Sequence, residues 1–131
     1  MEALAENTRS AGIGVRFEER GTPRRLSVGT TTAAYRVVQE ALTNVVRHAD
    51  ASTASIHVEY LPAALRVQIT DNGHTTNGGV LPGQGMIGMG ERAALVGGTV
   101  DARPLRGGGV RVRACLPTED APPDTDETGT R

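Results

Sequence analysis

The segment GTTTAAYRVVQEALTNVVRHAD, residues 29–50, constrains the fold of this 131-residue chain more than any other. Val38, Leu42, Val45 and Ala49 recur at helical spacing and form one apolar stripe, widened by Val37, Ala41 and Val46. Thr31 or Thr32 is expected to cap the N-terminus by accepting a backbone N–H bond. A long helix with one apolar face needs a surface to cover, and the flanking segments supply it. GVRFEER (Gly14–Arg20) alternates and reads as a strand. SIHVEYL puts Ile56, Val58 and Tyr60 on one face, and LRVQITD does the same with Leu65, Val67 and Ile69. Pro62–Ala64 between them is short enough for a hairpin, and TVDAR and GVRVRACL form a second one across Pro104–Gly109. There is no internal repeat. The order predicts an α+β sandwich with one sheet covered by helices on one side.

Two further helical segments complete the pattern. MEALAENTRSAG reads as a short helix ending at Gly12, with Leu4 its sizeable anchor, and is expected to be the end of a linker helix. Glu91–Val96 reads as a helix that Gly97–Gly98 ends. Between β-type and helical segments, DNGHTTNGGVLPGQGMIGMGER (Asp71–Arg92) is about a third glycine. A disordered spacer, a string of turns and a loop that wraps phosphates all suit that composition.

Composition removes several function classes. All fourteen basic residues are arginine and lysine is absent. A P-loop, a eukaryotic-type protein kinase and a Schiff-base enzyme each require a lysine, so all three are excluded. Cys115 is the single cysteine, which rules out an internal disulfide and a cysteine-built zinc site; its alternating segment predicts a buried, inert thiol. No apolar run approaches the roughly 18 residues of a membrane span, and no signal segment opens the chain, so a cytoplasmic setting is expected. The last fifteen residues hold five acids and one arginine, and residues 118–131 are expected to be a disordered acidic tail. The remaining body carries thirteen arginines against ten acids, and with so few aromatics it does not suit a nucleic acid.

Chemistry-bearing residues concentrate at three places. Glu40, Asn44 and His48 are spaced i, i+4, i+8 on the long helix, with Arg47 adjacent, and are expected to share a face opposite the apolar stripe. That face is either plainly solvated or carries Glu40 as a general base and Asn44 as an oxygen ligand for Mg²⁺. Asp71 ends a strand and is followed by Asn72–Gly73, which is either a turn or a carboxylate placed to accept a bond from an exocyclic amine. Gly83 and Gly85 precede the Glu91 helix, where unpaired N–H groups attract phosphate oxygens. The tight strand-to-helix turn of a dinucleotide site is missing, so a Rossmann reading is rejected.

The order of these elements carries more than any one of them. E-x-x-x-N on a helix, D-x-G after a hairpin, G-x-G before a helix and GGG-x-x-V in a terminal strand resemble the GHKL ATPase superfamily. Gyrase-type topoisomerases, heat-shock chaperones of that fold and sensor histidine kinases belong to it. YRVVQEALTNVVRHA and GMGERAALVGGTV resemble the catalytic ATP-binding domain of the nitrate-sensor-type branch of histidine kinases, over roughly residues 13–117. The resemblance implies a mixed, mainly antiparallel sheet and binding of ATP and Mg²⁺. By the same resemblance Glu40 is the N-box acid that polarises the acceptor, Asn44 the Mg²⁺ ligand, and Arg47 and His48 the basic pair near the phosphates. Asp71 and Gly73 match the adenine-reading G1 box, Gly83 and Gly85 the G2 box over the triphosphate, and Gly107 and Gly109 the last glycine element. The glycine-rich stretch would then be a mobile ATP lid. Thr75 stands where a second G1 glycine is usual, Gln84 replaces a histidine, and Met86 replaces leucine with little change of volume.

The implied partners are a separate dimerisation domain carrying the phosphoacceptor histidine and a downstream response regulator. None of His48, His57 and His74 matches an acceptor; His57 reads as a solvent-facing strand residue. Two other readings share the fold: a stand-alone anti-sigma-factor serine kinase, and a nucleotide-gated binding module without catalysis.

Overall fold

The structure is a computed structural model that describes residues 1–48, 52–73 and 83–118. Its elements run α1 (Glu2–Ser10), β1 (Gly14–Arg20), α2 (Val28–His48), β2 (Thr53–Leu61), β3 (Ala64–Asp71), α3 (Gly83–Ala94), β4 (Thr99–Pro104) and β5 (Val110–Pro117). One sheet holds all five strands in the order β1-β2-β3-β5-β4. The β1–β2 pair is parallel, because α2 intervenes and carries the chain back before β2 begins. The other three pairs are antiparallel. The expected mixed, mainly antiparallel sandwich is therefore the observed one.

Strand alternation builds the inner face: Ile56 and Val58 on β2, Leu65, Val67 and Ile69 on β3, Val112, Ala114 and Leu116 on β5. Against it lie Val37, Val38, Ala41, Leu42 and Val45 of α2, all buried in the same cluster. Leu4 anchors α1, which packs on β1 and α2, while α3 packs on α2 and on β4 and β5. No helix among the described residues is long and apolar enough to cross a membrane.

Four expectations are corrected. The cap of α2 is Ser27, not Thr31 or Thr32: its Oγ accepts the Thr30 N–H at 3.1 Å, one turn earlier than the apolar periodicity suggested. Val46 does not widen the stripe but is 45 % exposed, since it falls past the edge of the arc that meets the sheet. Cys115 is exposed, because β5 turns Ala114 and Leu116 inward and so turns Cys115 out. Helix α3 begins at Gly83 rather than Glu91. Each glycine there disfavours helix by about 1 kcal/mol, yet Met89 and Ala93, one turn apart and fully enclosed, anchor it to its neighbours. Packing overrides propensity.

Its other end follows the sequence signal closely. Gly97 adopts φ +79° while its N–H and that of Gly98 bond back to Ala94 and Ala93 at 3.0 and 2.8 Å, the paired closure of a glycine-terminated helix. His57 is half-exposed on the outer face, its Nε2 3.1 Å from Glu18 Oε1 on the neighbouring parallel strand. The expected lid residues 74–82, including His74 and Thr75, and tail residues 119–131 lie outside the described residues. Thr118, expected to begin the tail, is tied by its N–H to Ala63 O and by its hydroxyl to Arg24.

Candidate functional site

Among the described residues four polar side chains are buried: Thr8, Thr30, Asn44 and Asp71. The two threonines are satisfied within their own helices, Thr8 by donating to Leu4 O at 3.0 Å and Thr30 by its bonds to Ser27. Asn44 and Asp71 are different. An enclosed polar atom without a partner costs about 1–3 kcal/mol; among the described residues Asn44 Nδ2 and His57 Nδ1 are such atoms, while Asp71 carries the desolvation of its carboxyl.

Asn44 is 6 % exposed and its Nδ2 is enclosed with no partner among the described residues. It therefore does not lie on a face opposite the apolar stripe. It borders Ala41 and Val45 on the inner arc of α2, because a helix advances 100° per residue and position 44 stays within reach of that stripe. Glu40 is half-buried beside it and Arg47 is exposed. His48 is the last residue of α2. The helical face is mixed, with Asn44 buried and Arg47 exposed to solvent.

Asp71 ends β3 on the inward side of its alternation and is 7 % exposed. Its Oδ1 accepts the Gly73 N–H at 2.8 Å. Burial raises its carboxyl pKa above the ordinary value; the backbone amides of Gly73 and Val110 pull the other way without cancelling that effect. Gly109 presses directly on this strand end. It has φ +91°, and a Cβ there would collide with Asp71 O, so both conformation and space demand glycine. Gly107 also has positive φ but meets nothing, so it serves the β4–β5 turn rather than close packing.

Asp71, Gly73 and Gly109 are thus brought together at one strand end, and α2, which buries Asn44, packs across β3 and β5. Gly83, Gly85 and Met86 fall inside the first turn of α3, not in a loop before it. The unpaired N–H groups attractive to an anion belong to that earlier turn. One residue escaped the sequence reading. The Asn72 side chain accepts from Ser52 N and Thr53 N at 3.0 and 2.9 Å and donates to Ser52 Oγ at 3.0 Å, where a simple turn was expected. Its signal was its place beside a strand-terminal Asp, since Asn alone offers an amide acceptor and donor on so short an arm.

The fold is a two-layer α+β domain that buries Asn44 on its long helix and Asp71 at a strand end. Residues 29–120 match the family of histidine kinase-, DNA gyrase B- and HSP90-like ATPases, and the chain belongs to it. It is 42 % identical over 83 residues to the sensor histidine kinase YxjM of Bacillus subtilis, covering 63 % of this chain and 20 % of that one. Against the sensor histidine kinase LiaS of the same organism the identity is 29 % over 118 residues, covering 88 % and 32 %. The oxygen sensor histidine kinase NreB of Staphylococcus carnosus is 33 % identical over 93 residues, covering 69 % and 27 %. The chain thus spans a fifth to about a third of the length of the curated relatives it matches. The fold is similar to that of the Acinetobacter baumannii histidine kinase AdeS, with TM-score 0.68 at 14 % identity over 91 % of this chain and 65 % of that one. Full-length ShkA in complex with AMPPNP gives TM-score 0.69 at 18 % identity, over 89 % and 28 %.

Proposed function

We propose that this chain is the ATP-binding kinase domain of a two-component sensor, passing the γ-phosphate of ATP to a histidine on a separate dimerisation domain. The observation that carries the reading is the pair of buried polar groups, Asn44 on α2 and Asp71 at the end of β3. Asp71 accepts from the exocyclic amine of adenine, and Gly73 lets the backbone approach the ring. Asn44 offers an amide oxygen to Mg²⁺. Among the described residues no three His, Cys, Asp or Glu side chains cluster as a metal site, so the cation would take its other oxygens from phosphates and water. When bound, Mg²⁺ neutralises phosphate charge. Arg47, with His48 next to it at the end of α2, adds positive charge near the phosphates, and the first turn of α3 with Gly83, Gly85 and Met86 presents N–H groups to them. Glu40 draws the proton of the attacking imidazole or orients it. Gly109 shapes the strand end against which the base sits, and Gly107 serves the β4–β5 turn that leads to it. A response regulator would receive the phosphoryl group, and the setting would be cytoplasmic.

Phosphoryl transfer needs an in-line nucleophile held near the donor. The test is incubation with γ-labelled ATP. The chain alone should remain unlabelled, and the parent kinase's dimerisation domain added in trans should acquire an acid-labile, base-stable label. Glu40→Gln should keep nucleotide affinity and lose most of the transfer rate. Strong self-labelling would overturn the reading, and an acid-stable label on an anti-sigma antagonist would identify a serine kinase instead.

A further inference from the structure

We infer that Asn72 is a positioning residue of the nucleotide site, aiming the Asp71 carboxylate and thereby setting the preference for adenine over guanine; this rests on the reading of Asp71 given above. Asn72 and Asp71 are neighbours on one strand end, so their side chains leave opposite faces: Asp71 is buried between the layers and Asn72 is exposed. The exposed one is nevertheless the more heavily bonded. Its Oδ1 takes two successive N–H groups, Ser52 and Thr53, its Nδ2 reaches Ser52 Oγ, and its own N–H donates to Thr53 O at 3.2 Å. A surface asparagine that only needed solvating would have no reason to meet four protein atoms.

What those bonds hold explains the arrangement. Ser52 is the first described residue after the segment that follows α2, and Ser52 O also accepts the Gly14 N–H of β1 at 2.9 Å. Asn72 therefore joins the end of β3 to the entrance of β2, and through it to β1. From the other side the Gly109 backbone leans on Asp71 O. The peptide carrying Asp71 is pinned from both flanks, and its carboxylate is closed onto Gly73 at 2.8 Å. With Asn72 cut away, the strand end can rotate about the Gly109 contact, and a small rotation moves the carboxylate out of line with an amine. Among the described residues no side chain bonds the Asp71 carboxylate and the backbone amides of Gly73 and Val110 hold it, so main-chain direction decides where it points.

Residue chemistry makes the idea testable. Asn72→Asp keeps the acceptor for both amides, and the Ser52 hydroxyl can turn to donate, so the clip survives. Asn72→Ala removes it. Calorimetry with ATP and with GTP on the full chain, well below the melting temperature, reads out the preference. Loss of the clip's three side-chain bonds is expected to change the ATP:GTP ratio by roughly threefold to hundredfold. Asn72→Ala should lower the ATP:GTP affinity ratio at least threefold, and Asn72→Asp should restore most of it. A purely structural role would reduce both affinities together, through the folded fraction, and leave the ratio alone. Asp71→Asn is the control. If it collapses the ratio while Asn72→Ala does not, the positioning role is overturned and the adenine assignment stands; if Asp71→Asn leaves the ratio unchanged, both fall. Should Asn72→Ala fail to fold, Ser52→Ala weakens the same clip from its other end, and an unchanged ratio there also overturns the inference.

Discussion

Asn44 and Asp71 are costly to the protein by themselves, and that cost has measurable signs. Because Asn44 Nδ2 is enclosed without a partner among the described residues, Asn44→Ala removes an unsatisfied group along with some packing. Ligand-free stability should change by less than about 1 kcal/mol, in either direction, while Mg²⁺-dependent ATP binding falls at least about tenfold. Denaturant unfolding and calorimetry on one preparation check both halves. For Asp71 the folded carboxyl titrates above its unfolded value of 3.8. The folded state therefore holds the proton more tightly, and the contribution is fully present below pH 3.8 and lost as pH rises through the higher folded value. The stability of the native chain minus that of Asp71→Asn should decline over that window and then level off. A difference that rises with pH would mean the carboxylate is stabilised where it sits. At this scale the sequence was legible in residue type and spacing: it singled out both side chains, but put Asn44 on the wrong side of its helix. Periodicity assigns faces from apolar residues, and one polar residue at the border of a stripe looks the same whether it is turned in or out.

Elements are held by their ends here. Ser27 Oγ caps α2, and Ser27→Ala should cost about 1 kcal/mol, seen as a lower denaturation midpoint with unchanged slope. Gly109→Ala would add both a left-handed strain and a contact with Asp71 O. The sum should be about 2–5 kcal/mol, with nucleotide affinity lost even in the folded fraction because the strand end shifts. Gly107→Ala meets no neighbour and should cost only the φ penalty of about 1 kcal/mol. Strands were read nearly to their ends from period-two patterns, and Gly97–Gly98 marked the close of α3 correctly. The start of α3 was missed by eight residues because four glycines argue locally for a loop, whereas Met89 and Ala93 bind it as helix. Cys115 was misplaced for a related reason: an alternating strand has two faces, and only the partner layer tells which one is covered.

For the whole molecule, a ligand that binds only the folded state stabilises it by mass action. ATP·Mg²⁺ at a hundred times its dissociation constant should add about 2.7 kcal/mol, and Asp71→Asn should abolish that gain at the same concentration. Thermal unfolding with ATP and with GTP separates a specific site from general polyanion binding, since only the former distinguishes the bases. The amino-acid sequence by itself determined the α+β class, the strand and helix inventory and the family, because periodicity, turn chemistry and motif order are local properties that survive without coordinates. Tertiary structure alone decided the sheet order β1-β2-β3-β5-β4, the burial of Asn44, the seating of Gly109 on Asp71 and the Asn72 clip to Ser52 and Thr53. Each of these joins residues far apart in the chain, and which faces meet is settled by the packing of layers, a property no single segment encodes.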